Sequence, residues 1–221
     1  MIKHEIKWIA AAVALTLSGA ASAQTAGTWM GRVGFSTITP QVTSGDLTAP
    51  SFAGTKSDVL SATQLSGGIS YMLTDSVALD LPLSLPFKHD IVGDGAIKGV
   101  GKLGDVQALP VTLFVQYRFM APTNNLRPYV GIGPTYAKFY KAKGTAVLSG
   151  LTGGNPTSLS IESKMTYSVQ LGATYAVNNK WFVDAMVAKT PLKNRTTLST
   201  GQTIDVQQDP MCFGVQVGYK F

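Results

Sequence analysis

The chain closes on Phe213-Gly214-Val215-Gln216-Val217-Gly218-Tyr219-Lys220-Phe221. Successive side chains of a β-strand point to opposite faces. Phe213, Val215, Val217, Tyr219 and Phe221 therefore share one face, and Gly214, Gln216, Gly218 and Lys220 the other. A helix would mix these two sets, whereas a strand keeps one apolar and the other small or polar. The stretch from 161 to 177 repeats the pattern. Ile161, Met165, Tyr167, Val169, Leu171, Ala173, Tyr175 and Val177 alternate with Glu162, Lys164, Thr166, Ser168, Gln170, Gly172 and Thr174, and Ser163 is the one polar member of the apolar set.

Six weaker copies precede or separate these two. Their apolar faces are Trp29, Val33 and Phe35; Leu65, Ile69, Tyr71 and Leu73; Val77, Leu79, Leu81 and Leu83; Val111, Leu113, Val115, Tyr117 and Phe119; Val130, Ile132 and Tyr136; and Trp181, Val183, Ala185 and Val187. Eight strands result, an even number as single-chain bacterial barrels have. Connections at 73–76, 121–125 and 177–180 are short and rich in turn formers. Those at 39–59, 85–108, 142–160 and 191–204 are long. Short turns at one end and long loops at the other are the arrangement of an outer-membrane barrel, with the short turns and both termini on the periplasmic side.

A soluble barrel would also alternate, with its apolar face inward. Its outer face would then be rich in Lys and Glu. Here the polar face is mostly Gly, Ser, Thr, Gln and Ala, with isolated Arg32, Asp80, Arg118, Glu162, Lys164 and Asp184. Small residues suit the crowded interior of a narrow barrel. Trp29, Tyr71, Tyr117, Phe119, Trp181, Tyr219 and Phe221 stand near strand ends, where interfacial girdles belong. Only 14% of the 221 residues are charged, against about 25% in soluble domains. Past the N-terminus no run reaches the roughly 20 apolar residues of a spanning helix. The expected fold is all-β: an eight-stranded antiparallel up-and-down transmembrane β-barrel.

Lys3 and Lys7 precede an apolar stretch from Trp8 to Leu17, and Ala21-Ser22-Ala23 ends it in a small-x-small site. That is the form of a secretory signal, so residues 1–23 are expected to be removed, leaving Gln24 as the mature N-terminus and 24–221 as the barrel domain. Net charge falls from +6 to +5 with that segment, which carries Lys3, Glu5 and Lys7. The remaining basic residues form no stripe, so nucleic acid is not an expected partner. Cys212 is the single cysteine, which excludes an internal disulfide.

Candidate site residues lie on the inward face. Arg32, Asp80, Arg118 and Asp184 either give the lumen a polar surface that selects what enters, or pair with one another as a plug, because buried charges need partners. Met30, Phe114, Phe182 and Met186 would give the lumen hydrophobic patches, and Gln170 completes the lumen-lining set. His89 sits beside Asp90, but with His4 removed it is the last histidine and no second His or Cys completes a metal site. The stretch around it is expected to be a loop packing over the barrel mouth, made flexible by Gly95, Gly99, Gly101 and Gly104. No phosphate-binding fingerprint or hydrolase nucleophile motif appears, so neither catalysis nor a cofactor is expected.

From Leu79 onward the sequence resembles the OmpW family of outer-membrane proteins. The resemblance is carried by Leu85-Pro86-Phe87-Lys88-His89-Asp90-Ile91, Lys102-Leu103-Gly104-Asp105, Leu109-Pro110-Val111-Thr112-Leu113 and Gln116-Tyr117-Arg118-Phe119, then by Arg127-Pro128-Tyr129-Val130-Gly131-Ile132-Gly133-Pro134 and the closing Gly218-Tyr219-Lys220-Phe221. It implies an eight-stranded barrel with a narrow, partly hydrophobic interior, associated with uptake of small hydrophobic molecules across the outer membrane. Phe221 also resembles the terminal signal read by the barrel assembly machinery. The partners this implies are that machinery, outer-membrane lipids and lipopolysaccharide, and small hydrophobic ligands. A second function stays open: a sealed, structural barrel presenting its long loops to surface partners.

Overall fold

Each alternating segment of the sequence forms a strand, and the strands close on themselves. The computed structural model describes residues 24–221; the expected signal peptide at 1–23 lies outside the described residues. In chain order the elements are β1 (Trp29–Thr39), β2 (Thr43–Ser44), β3 (Thr55–Val59), β4 (Ala62–Met72), β5 (Val77–Ser84), β6 (Phe87–Gly95), β7 (Lys102–Thr112), β8 (Phe114–Arg118) and β9 (Leu126–Gly144). They continue through α1 (Ala146–Leu151), β10 (Leu159–Ile161), β11 (Lys164–Ala176), β12 (Trp181–Lys189), β13 (Lys193–Leu198), β14 (Thr203–Gln207) and β15 (Met211–Lys220). The wall is β1, β4, β5, β8, β9, β11, β12 and β15, each antiparallel to the next. β15 closes it by pairing with β1 from Met30–Lys220 to Thr39–Met211.

Burial follows the alternation. On β15, Val215 is 64% exposed and Gln216 3%; along the wall it is the apolar residues that face out and the polar ones that are enclosed. In water this would be an inverted protein. In hydrocarbon it is the stable arrangement, because apolar side chains meet lipid and closure of β15 on β1 leaves the sheet no free edge strand. Rings form a belt near the short-turn end, with Trp29 against Tyr71 at 4.7 Å, Tyr117 against Phe119 at 5.1 Å and Trp181 against Tyr219 at 5.1 Å. Side chains tie the turns there: Thr74 Oγ1 accepts from the Val77 N–H, and Asn178 Oδ1 from those of Lys180 and Trp181.

Two expectations are corrected. The 85–108 connection is not a loop over the mouth but a hairpin, β6 on β7, that prolongs the wall. Phe87, His89 and Ile91 are buried on its inner face, while Lys88 and Asp90 face out. Beyond the membrane the outer face meets water and the inner face an apolar interior, so the polarity of the two faces swaps. That swap hides the strand from a search for lipid-facing patterns. Gly95, Gly99 and Gly101 serve its turn with φ of 60°, 89° and 98°, a region in which other residues are strained. Gly104 is not in a flexible segment but paired, opposite Ile91 and Gly144.

The segment from 161 to 177 is not one strand either. Ile161 pairs with Thr196 in a separate four-stranded sheet, β10-β13-β14-β2, built from the long loops. β11 starts only at Lys164. At the break the Ser163 hydroxyl accepts from the Phe139 N–H, so the one polar residue of the outward set marks the point where the chain leaves the wall.

Candidate functional site

The barrel interior is divided into two halves. Toward the short turns it is packed and polar. Arg32 forms a two-pronged ion pair with Asp80, at 2.7 and 2.9 Å, and also donates to Ser70 at 2.8 Å and Gln216 at 2.6 Å. Asp80 is 0% exposed, and a charge so enclosed is tolerable only with such partners. Across the interior, Asp184 accepts from the Tyr129 hydroxyl and from Thr174, both at 2.9 Å. Arg118 donates to Thr174, Gln24 and Gln116 and stacks over the Tyr129 ring at 4.9 Å. Arg127 binds the carbonyls of Gln24, Asp75 and Met120, joining the N-terminal segment to two turns. Met30, Met72, Ala78 and Phe182 fill the remaining space as an apolar cluster.

Glycines make this packing possible. A Cβ at Gly172 would overlap the Tyr129 ring, one at Gly218 the Phe182 ring, and one at Gly68 the Arg32 guanidinium. Three large side chains thus lie flat over the neighbouring strand, each across its own register partner.

Toward the long loops the interior opens into an apolar cavity of about 240 Å³. Its walls include Ile38, Phe87, Ile91, Leu103 and Val106 from the wall and hairpin, with Leu148, Leu159 and Leu198 from the loops. Its floor is Phe114, Met186, Gln216 and a set of Ser and Thr hydroxyls. His89 borders it, with Nδ1 2.8 Å from the Leu60 carbonyl, to which it donates; burial pushes this imidazole below its ordinary value. On the outer face of the hairpin Lys102 pairs with Asp90 at 2.7 Å, which raises its ammonium pKa.

Of the residues singled out from sequence, all nine lie inside the barrel, but only Phe114 and Met186 border the cavity. Met30, Arg32, Asp80, Arg118, Phe182 and Asp184 belong to the packed half. Gln170 lies over Gly131 beside Gln116. Arg118 and Asp184 do not pair directly; Thr174 bridges them. Sequence reasoning missed Arg127 and Tyr129, which share parity with Gly131 and Gly133 and are found by carrying that strand's alternation further back. Among the described residues no group of three metal-ligating side chains occurs.

Beside the cavity the wall is interrupted. β5 pairs with β8 only from Val77–Tyr117 to Asp80–Phe114, and pairing resumes at Phe87–Ala108. Between these points lie Pro82, Pro86 and Pro110, which have no N–H to give a ladder. Pro82, Leu83, Leu109 and Pro110 border both this gap and the cavity.

A closed barrel of eight antiparallel strands, apolar outside and enclosed-polar inside, is an outer-membrane β-barrel. The chain belongs to the OmpW family, whose model matches residues 25–221. It is 34% identical over 222 residues to Outer membrane protein W of Salmonella typhimurium, covering 97% of this chain and 99% of that one. It is 26% identical over 200 residues to Outer membrane protein AlkL of Ectopseudomonas oleovorans, covering 88% and 83%. The crystal structure of the outer membrane protein OprG from Pseudomonas aeruginosa superposes with a TM-score of 0.82 at 29% identity, over 91% of this chain and 99% of that chain. The protein resides in the bacterial outer membrane.

Proposed function

We propose that the barrel takes up small hydrophobic molecules from outside the cell, holds them in the apolar cavity and releases them sideways into the membrane. One observation carries this: the cavity ends on a packed floor, while the wall next to it is unpaired between Asp80–Phe114 and Phe87–Ala108. Charged and hydrogen-bonded side chains fill the path toward the short turns, so an apolar molecule moving down the axis would have to break a buried ion pair. Moving sideways it meets Pro82, Leu83, Leu109 and Pro110, with the hydroxyls of Ser84 and Thr112 beside them. Phe114 and Met186 then act as the floor that turns the molecule outward, and Arg32, Asp80, Arg118 and Asp184 act as the seal. The family resemblance supports the same reading.

Within this proposal, residues 1–23 are the export signal, Gln24 begins the mature chain, the short turns face the periplasm, and Phe221 directs assembly. Lipopolysaccharide surrounds the loop end, and no catalytic step is involved. The test is transfer of a hydrophobic fluorescent probe into liposomes carrying the purified barrel, paired with planar-bilayer recording. Faster transfer than into empty liposomes, without steady ion conductance, is the expected result. No gain over empty liposomes refutes uptake and leaves the ordered loop sheet as the functional part, in the manner of a structural barrel that presents its loops.

A further inference from the structure

The cavity floor is not apolar like its walls. Two hydrogen-bonded chains ring it. Thr112, Thr135, Ser168 and Thr190 link in series at 2.8, 2.6 and 2.6 Å. Ser36 meets Ser66 at 2.7 Å, and Gln216 donates to Ser66 at 3.0 Å. All seven border the cavity. They come from β1, β4, β7, β9, β11 and β15 and from the residue that follows β12, and β5, the strand beside the lateral gap, gives none. We propose that this ring is a head-group site, and that the favoured substrates are neutral amphiphiles: an apolar body ending in one uncharged hydrogen-bond acceptor such as a hydroxyl or ketone, in preference to plain hydrocarbons and to carboxylates. This rests on reading the cavity as the uptake site.

Each Ser or Thr hydroxyl has one hydrogen to donate and room to accept. The Thr112–Thr190 series has four hydroxyl hydrogens and three links, so whichever atoms donate, one hydroxyl of the series keeps an uncommitted O–H. Gln216 Nε2 has two hydrogens and gives one to Ser66. Gln170, next below Ser168 on the same face of β11 and 3% exposed, has an Nε2 with no hydrogen-bond partner. The floor thus keeps spare donors in the Thr112–Thr190 series and at Gln216, with Gln170 just beneath it, between apolar walls where an unmet donor is costly and an acceptor is welcome.

Charge decides the rest. Arg32, which reaches the ring through Gln216, is already committed to Asp80 by both prongs of its guanidinium. The pair presents no net charge to a carboxylate, so an anionic head would lose its water without gaining a counterion. Against a neutral head the ring offers one or two hydrogen bonds; against a hydrocarbon end it offers none and its own donors stay unmet.

Cys212 borders the same cavity and is the chain's single cysteine, which makes it a built-in reporter. In lipid nanodiscs, the rate of Cys212 alkylation by a small thiol reagent is measured against 1-decanol, decane and decanoate, matched by concentration in the membrane. The expectation is that 1-decanol protects at concentrations about five- to tenfold lower than decane, the worth of one or two neutral hydrogen bonds, and that decanoate does no better than decane. Thr112→Val with Thr190→Val, which trims both ends of the series while keeping side-chain shape, should erase that preference and leave protection by decane unchanged. If the double variant fails to fold, Thr190→Val alone should reduce the preference. Equal protection by 1-decanol and decane, a preference that survives these substitutions, or decanoate matching 1-decanol would each overturn the head-group site while leaving the cavity an apolar binding site. No protection by any of the three overturns the site and the uptake reading together.

Discussion

The two halves of the barrel interior share one continuous wall, but the packed half draws on β1, β5, β8, β9 and β12 and the open half largely on the β6–β7 hairpin, and they solve opposite problems. In the half near the short turns, inward positions carry Arg32, Asp80, Arg118, Tyr129 and Asp184, and nearly every polar atom has a partner. In the half near the loops, inward positions carry Phe87, Ile91, Leu103 and Val106 around open space. The difference shows that a strand's parity fixes which residues face inward but not what the interior does. Filling depends on whether glycines opposite the large side chains let them lie flat, as Gly172 does for Tyr129 and Gly218 for Phe182. Where the facing glycines give way to Ser and Thr, the interior opens.

The contrast can be broken most strongly at its ion pair. Asp80→Ala leaves Arg32 buried and unpaired and should cost about 3–5 kcal/mol, measured by urea unfolding of the refolded barrel in lipid vesicles. Pairing it with Arg32→Met should recover much of that loss. Gly218→Ala places a methyl group into the Phe182 ring and should cost about 1–3 kcal/mol in the same assay, with packing near the short turns perturbed. Leu103→Ala, in the other half, should cost no more than about 2 kcal/mol, the low end for a buried leucine, because its side chain already borders open space. A larger loss at Leu103 than at Gly218 would erase the distinction between a packed half and an open one.

The smallest effect concerns His89. Burial lowers its pKa, so the folded barrel binds its proton less readily than the unfolded chain does. Stability is fully present above the unfolded value of about 6.5 and is lost as pH falls from there toward the lowered folded value. Thermal unfolding followed from pH 8 to pH 5 should show a decline below about pH 6.5 that His89→Gln reduces.

Much of this molecule could be read from the sequence. Eight strands, their outward faces and the alternation of short and long connections follow from residues such as Phe213–Phe221, because lipid on one side and a narrow interior on the other give the two faces opposite chemistry. The β6–β7 hairpin escaped that reading because Lys88 and Asp90 face water while Phe87 and Ile91 face the cavity, reversing the code above the membrane. Inward residues could be named, but not their division into seal and cavity floor. That division arises from partners distant in sequence, such as Arg32 with Asp80 and Arg118 with Gln24, which only the barrel's register brings together. The hydroxyl ring escaped for the same reason: Ser36, Ser66, Thr112, Thr135 and Ser168 are unremarkable polar residues until closure sets them side by side.

In the proposed uptake route molecules leave through the gap between β5 and β8 rather than along the axis. Its most direct test joins the two sides of that gap. In a Cys212→Ser background, Ser84→Cys and Leu109→Cys are bridged by a short bis-maleimide, and transfer of a hydrophobic probe into liposomes is compared before and after bridging. Transfer falling to the level of empty liposomes, restored when a cleavable bridge is cut, is the predicted result. Transfer unchanged by the bridge would show that the molecule takes another route and would contradict the account.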